Sequence, residues 1–103
     1  GHLSHGEKRA LELAMALAMK PRLLLLDEPM AGMGRQDGAA MTDLVAELKG
    51  VTTIVLIEHD MEAVFRLADR ISVLVAGRVI KTGLPEEVRV DEDVRAAYLG
   101  HSH

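Results

Sequence analysis

Two adjacent carboxylates, Asp27 and Glu28, close the unbroken apolar run Leu23-Leu24-Leu25-Leu26, and Pro29 follows at once. A continuous aliphatic run of this length reads as a strand buried on both faces, as in a parallel sheet covered by helices. In open α/β sheets the ligand crevice lies outside the carboxyl ends of the strands. Asp27 and Glu28 are therefore expected at such a crevice, where one carboxylate can hold a hydrated divalent cation and the other can orient a water. A plainer reading stands beside it: Asp27 turns the chain before Pro29 and Glu28 is merely solvated. The cost of leaving charge unpaired beside a buried strand weighs against that reading.

Two further segments carry the same kind of chemistry. Glu58-His59-Asp60 closes the β-branched run Thr52 to Ile57. His59 is either a structural hydrogen-bonder or a catalytic group, and Asp60 is suited to cap the helix that follows. Leu3-Ser4-His5-Gly6-Glu7 leads directly into a helical pattern. Ser4 with Glu7 three residues on fits a capping box, which satisfies the free N–H groups of a helix start. The same helix start favours an anion, and Gly6 lets a phosphate approach the backbone closely. Capping alone also explains these residues.

The elements that must position these groups follow from periodicity. Leu11, Ala14, Met15, Ala18 and Met19 recur at helical spacing up to Lys20, and Pro21 closes that helix. Met30 to Asp37 reads as a glycine-containing loop. An amphipathic helix is expected from Gly38 to Lys49 on the apolar positions Met41, Leu44, Val45 and Leu48, with Gly50 as its stop. A helix from Met61 to Ala68, a strand from Ile71 to Val75, a turn at Gly77 and a strand from Arg78 to Lys81 come next. Pro85 opens a helix, and Glu92 to Leu99 forms a last short one. Alternating strands and helices give an α/β fold with a mainly parallel sheet flanked by helices, a C-terminal β-hairpin and short helices. No repeat, low-complexity tract or linker is evident, so one structural unit is expected.

Composition narrows the function classes. Apolar residues make up 49% of the 103 residues but aromatic ones only 2%, so the core must come from aliphatic side chains and Met. The six methionines are read as core filler. Twelve basic and sixteen acidic side chains give a net charge of −4, which argues against nucleic acid as a partner. With no cysteine, disulfides and thiolate metal sites are excluded. No apolar stretch approaches the roughly 20 residues of a membrane span. The chain starts Gly1-His2-Leu3 without a basic leader, and the expectation is a soluble cytoplasmic piece of something longer. His101 and His103 supply too few ligands for a structural metal site.

The three chemical segments, in this order and at these spacings, resemble the second half of an ATP-binding cassette ATPase. Leu3 to Glu7 is similar to the family's signature motif, Leu23 to Glu28 to its Walker B strand, Met30 to Gly34 to its D-loop and His59 to its switch histidine. Ala31-Gly32-Met33, Ile57 to Met61, Gly83 to Val88 and Arg95 to Gly100 resemble the ATPase subunits of branched-chain amino acid importers. Urea and amide importers and lipopolysaccharide exporters share much of that pattern. The resemblance implies residues 1–103 of a P-loop NTPase-type domain, its C-terminal half, that works with ATP and Mg²⁺. Asp27 would bind Mg²⁺ through water, Glu28 would act as general base or orient the attacking water, and His59 would contact the γ-phosphate. Ser4, His5, Gly6 and Glu7 would bind ATP held by a second ATPase subunit in a head-to-tail dimer. Transmembrane permease subunits are the implied partners, and the cytoplasmic face of the inner membrane is the implied location.

The sequence departs from the family in places. No Gly-x-x-x-x-Gly-Lys-Ser/Thr loop occurs in these residues, so the cradle for the β- and γ-phosphates is missing and the chain alone is expected to be inactive. His5 and Glu7 stand where Gly and Gln are frequent, and Gly34 where many members carry an Asp. In the family the phosphate-loop strand lies between the strands ending at His59 and beginning at Ile71. Its absence here predicts that Leu23–Leu26 pairs with Thr53–Ile57, and that the exposed edge is covered by dimerisation, strand swapping or repacking. A non-catalytic interaction or regulatory α/β module is the main alternative from another class. A receiver-like domain lacks its expected late Lys, and a genome-repair ATPase lacks heptad arms.

Overall fold

Ser4 begins the first helix as its spacing with Glu7 requires. Its backbone N–H donates to Glu7 Oε1 at 2.8 Å, while Ser4 Oγ accepts from the Glu7 N–H at 3.0 Å. This reciprocal box satisfies donors that the first helical turn leaves without partners. The helix, α1, runs His5–Ala18, and Lys20 beyond its C-cap turns the chain with a φ of +53°. A computed structural model describes residues 3–99, which divide into one unit ending at His59 and a second beginning at Asp60.

In the first unit, strand β1 (Leu23–Asp27) pairs in parallel with β2 (Thr53–Ile57), Leu23 opposite Thr53 and Asp27 opposite Ile57. This is the pairing expected from the sequence. Helix α2 (Arg35–Leu48) connects them and packs against α1. Leu24, with Leu13 of α1 and Met41, Val45 and Leu48 of α2, is buried. The opposite face is open: Leu23, Leu25, Val55 and Ile57 are 57%, 63%, 45% and 48% exposed. The expected burial on both faces is therefore corrected to burial on one. An apolar run shows that both faces can be covered, but the cover must come from other elements.

Two further expectations change. The α2 helix starts at Arg35 rather than Gly38, because its first turn, Arg35-Gln36-Asp37, is polar and lacks the apolar period that marks a helix. Among the methionines Met41 is buried, but Met15 and Met19 are 64% and 83% exposed. With Leu11 they form an i, i+4, i+8 stripe pointing away from buried Leu13.

The second unit begins with Asp60, whose side chain accepts from the Ala63 N–H at 3.4 Å and caps α3 (Met61–Leu67). Strands β3 (Ile71–Val75) and β4 (Arg78–Gly83) form an antiparallel hairpin. Its two-residue turn holds Ala76 and Gly77 at φ +51° and +78°, the backbone a tight hairpin of matching twist requires. Glu87 closes the start of α4 (Pro85–Arg89) on the Leu84 N–H, and Asp91 caps α5 (Glu92–Val94). The expected final helix is thus divided: α5 continues as a π-helical turn over Arg95–Leu99. Ile71, Val73, Val88 and Val94 form the core, with Phe65 and Ile80 packed on it and the Arg89 guanidinium 4.6 Å from the Phe65 ring centre. His101 and His103 lie outside the described residues, and no described helix is long and apolar enough to cross a membrane. The fold is α/β, with one parallel and one antiparallel pair of strands.

Candidate functional site

Parallel pairing brings the two acidic strand ends side by side. Beyond the last ladder pair, the Glu28 N–H donates to Ile57 O at 2.7 Å, so Glu28 is fixed beside Glu58 and His59. His59 Nδ1 lies 3.1 Å from Glu28 Oε1, with the two side chains 73% and 41% exposed. An exposed pair of this kind contributes at most about 1 kcal/mol to stability, so the fold does not depend on it. Glu58 completes the group: ligand-type atoms of Glu28, Glu58 and His59 all lie within 4.8 Å of one another. Its Oε1 accepts from the His59 N–H at 3.1 Å, and its Oε2 is buried with no hydrogen-bond partner.

Glu28 itself holds an uncommon backbone. Its φ is +47°, in the left-handed region that side chains disfavour. The Glu28 carbonyl accepts from the Ala31 N–H at 3.0 Å and from Arg9 Nη1 at 3.3 Å, and the same Arg9 nitrogen reaches Pro29 O at 3.3 Å. Strain of this sort persists where surrounding contacts over-determine it, as at functional sites.

Asp27 sits apart from the carboxylate–imidazole group. Its backbone belongs to the ladder opposite Ile57, while its side chain is exposed on the strand face shared with Leu23 and Leu25 and makes no hydrogen bond or ion pair among the described residues. An exposed carboxylate at a strand end offers the hard oxygen donors that suit a cation such as Mg²⁺.

The start of α1 is engaged with its own chain. Glu7 is held below the usual glutamate range, first by the Ser4 backbone N–H and then by the Ser4 side chain, against a small opposing effect of desolvation. His5 Nε2 lies 3.1 Å from Ala31 O, a hydrogen bond when that nitrogen carries the proton. Gly32, at φ +78°, lies under the same ring: a Cβ there would stand 3.3 Å from His5 Nε2. Gly6 is needed for packing as well as for any anion, since a Cβ on it would meet Asp37 Cγ at 2.9 Å. The His5 and Gly6 amides, as first-turn donors, have no acceptor within the helix.

Of the residues singled out in the sequence, the structure brings Glu28 and His59 into contact and leaves Asp27 outside their group, and it adds Glu58 and Arg9. Glu58 was visible in the sequence beside His59. Arg9 carried no signal, because its partners are about twenty residues away along the chain.

A family model described as ABC transporter matches residues 1–31, and one described as Branched-chain amino acid ATP-binding cassette transporter matches residues 78–103. The High-affinity branched-chain amino acid transport ATP-binding protein LivG of Salmonella typhimurium is 43% identical over 98% of this chain and 40% of its own length. By sequence, the chain is similar to ATP-binding proteins of ABC transporters over nearly its whole length. BraF of Pseudomonas aeruginosa, described in the same words as LivG, is 39% identical over 99% of the chain and 41% of its own length. The chain thus spans about 40% of the length of the curated relatives it matches. Among solved structures, the ADP conformation of MJ1267, an ATP-binding cassette of an ABC transporter, superposes with a TM-score of 0.82 at 30% identity, over 98% of this chain and 42% of that one. That likeness agrees with the P-loop NTPase-type fold expected from the sequence.

Proposed function

We propose that these residues are the C-terminal half of an ABC ATP-binding subunit that couples ATP hydrolysis to uptake of branched-chain amino acids. The observation that carries this reading is the contact of Glu28 Oε1 with His59 Nδ1 at 3.1 Å, at the carboxyl ends of two paired parallel strands. One Glu28 oxygen is engaged by the imidazole, and the other is left to accept a proton from, or to orient, an attacking water. His59, with most of its ring exposed, contacts the γ-phosphate and senses its loss. Asp27 holds Mg²⁺ through water, and the ion supplies neutralisation of phosphate charge when bound. At the start of α1, His5 and Gly6 present their free amides to ATP held by a second, head-to-tail subunit, while Ser4 and Glu7 hold that turn in shape through their capping box.

The solute assignment is supported by the family match over residues 78–103 and by the names of LivG and BraF. Transmembrane permease subunits and the cytoplasmic face of the inner membrane follow from the same reading. Without a phosphate loop, the 103 residues by themselves neither bind ATP tightly nor turn it over.

In the intact subunit, Glu28→Gln is expected to lower ATP turnover by about 10²- to 10⁴-fold while nucleotide still binds. Uptake of labelled leucine into vesicles carrying the whole transporter should fall with it. Turnover that survives Glu28→Gln unchanged would overturn the assignment of the base; transport of another solute in place of leucine would overturn the solute.

A further inference from the structure

We propose that Arg9 is a positioning residue for the hydrolytic centre, acting on Glu28 through its backbone. The inference starts from the contradiction between what Glu28 is and where it sits. A φ of +47° is unfavourable for a residue with a long side chain. Such a conformation must be held from outside. Three groups hold it: Ile57 O on the Glu28 N–H, the Ala31 N–H on the Glu28 carbonyl, and Arg9 Nη1 on the carbonyls of Glu28 and Pro29.

The first two are backbone groups of the same strand pair and turn. Arg9 is different, because it reaches the turn from another element, α1. It is half-buried and Pro29 is buried, so its charge-assisted bonds are partly shielded from water. Rotating the Glu28 backbone away from positive φ would swing its carboxylate off His59 and break the bonds to Arg9. Arg9 thereby fixes the direction of the Glu28 side chain without touching it.

Arg9 also stands one turn beyond the capping box. His5, in the first turn of the same helix, contacts Ala31 within the same turn after β1. Two side chains of α1 therefore grip the segment that carries Glu28. A displacement of the helix start is transmitted to the Glu28 backbone through Arg9 and His5. This step rests on the hydrolase reading above for its consequence, though not for its geometry.

The test uses Arg9→Met, which removes both bonds and keeps the apolar stem, and Arg9→Lys. Since one nitrogen makes both contacts, a lysine ammonium with its three donors can replace it. In the intact subunit, Arg9→Met is expected to lower kcat for ATP by about 10- to 100-fold with KM within about twofold, the signature of lost alignment rather than lost binding. Arg9→Lys is expected to recover to within about threefold of the unaltered protein. In the 103-residue chain, a strong intraresidue amide–Hα NOE at Glu28 reports positive φ. It should persist in Arg9→Lys and weaken in Arg9→Met. A strong NOE in Arg9→Met overturns the proposal, as does kcat falling together with KM and thermal stability. If the unaltered subunit proves inert towards ATP, the hydrolase reading fails while the NOE comparison still decides the role of Arg9.

Discussion

Replacing Glu28 by Asn is expected to stabilise the chain and to inactivate the intact subunit. The left-handed conformation costs an L-residue about 1–2 kcal/mol, and Glu28 occupies it at φ +47°. Asn is enriched in this region because its short side chain bonds locally, so about half of that strain, ~0.5–1 kcal/mol, is relieved. Against this stands the loss of the contact with His59. Both side chains are well exposed, at 41% and 73%, so that contact is worth only a few tenths of a kcal/mol. The backbone bonds to Ile57, Ala31 and Arg9 are unaffected by the substitution. A net gain on the order of 0.5 kcal/mol remains, which shifts the midpoint of thermal unfolding upward by about 2–4 °C for a chain of this size. Ala76→Asn is the control, since Ala76 has φ +51° in the hairpin turn and is not part of the Glu28, Glu58 and His59 group. It should stabilise by a similar amount and leave turnover unchanged. Urea and thermal denaturation followed by circular dichroism measure both. Should Glu28→Asn destabilise by more than about 1 kcal/mol while Ala76→Asn stabilises, the conformation of Glu28 is not strained and the reasoning fails.

Ser4→Ala removes a helix cap and is expected to cost about 1 kcal/mol by denaturation. Glu7, whose folded pKa is lowered, contributes stability above the usual glutamate range that is lost as pH falls through the lowered value. Because the Ser4 backbone N–H remains in the variant, titrating stability against pH should show a smaller acid loss rather than none. Val88→Ala, at a fully buried position of the second unit, should cost about 1–3 kcal/mol from lost burial and the cavity left behind; a loss under about 0.5 kcal/mol would place Val88 outside a packed core.

The secondary structure was readable where local signals agreed. The Ser4–Glu7 box and the helical spacing of Leu11, Ala14, Met15 and Ala18 gave α1, and the β-branched runs gave β2 and β3 nearly to the residue. It was less readable where one pattern serves two purposes. Leu23 to Leu26 has the composition of a strand covered twice, yet Leu23 and Leu25 are exposed. Burial is a property of the surroundings, and a run of leucines carries no information about which elements arrive to cover it. The first turn of α2 was missed for the opposite reason, since a polar helix start is indistinguishable from loop by periodicity alone.

The candidate site divides along the same line. Which residues are chemically able was plain from the strand ends, and parallel pairing then made the meeting of Glu28 with His59 almost obligatory. What aims them was hidden. A glycine at a left-handed position announces itself, as Gly32 and Gly77 do; a glutamate before a proline does not, so the strained φ of Glu28 has no sequence signature. Arg9 was equally silent, as a basic residue on a helix is ordinarily solvated. The two silences have one cause. Glu28 can occupy the disfavoured region because Arg9 and the Ile57 carbonyl hold it there, and neither contact is local in sequence. The chemistry of this centre is therefore written in short motifs, while its alignment is written in long-range bonds to main-chain carbonyls, and a substitution at Arg9 should disturb the second without altering the first.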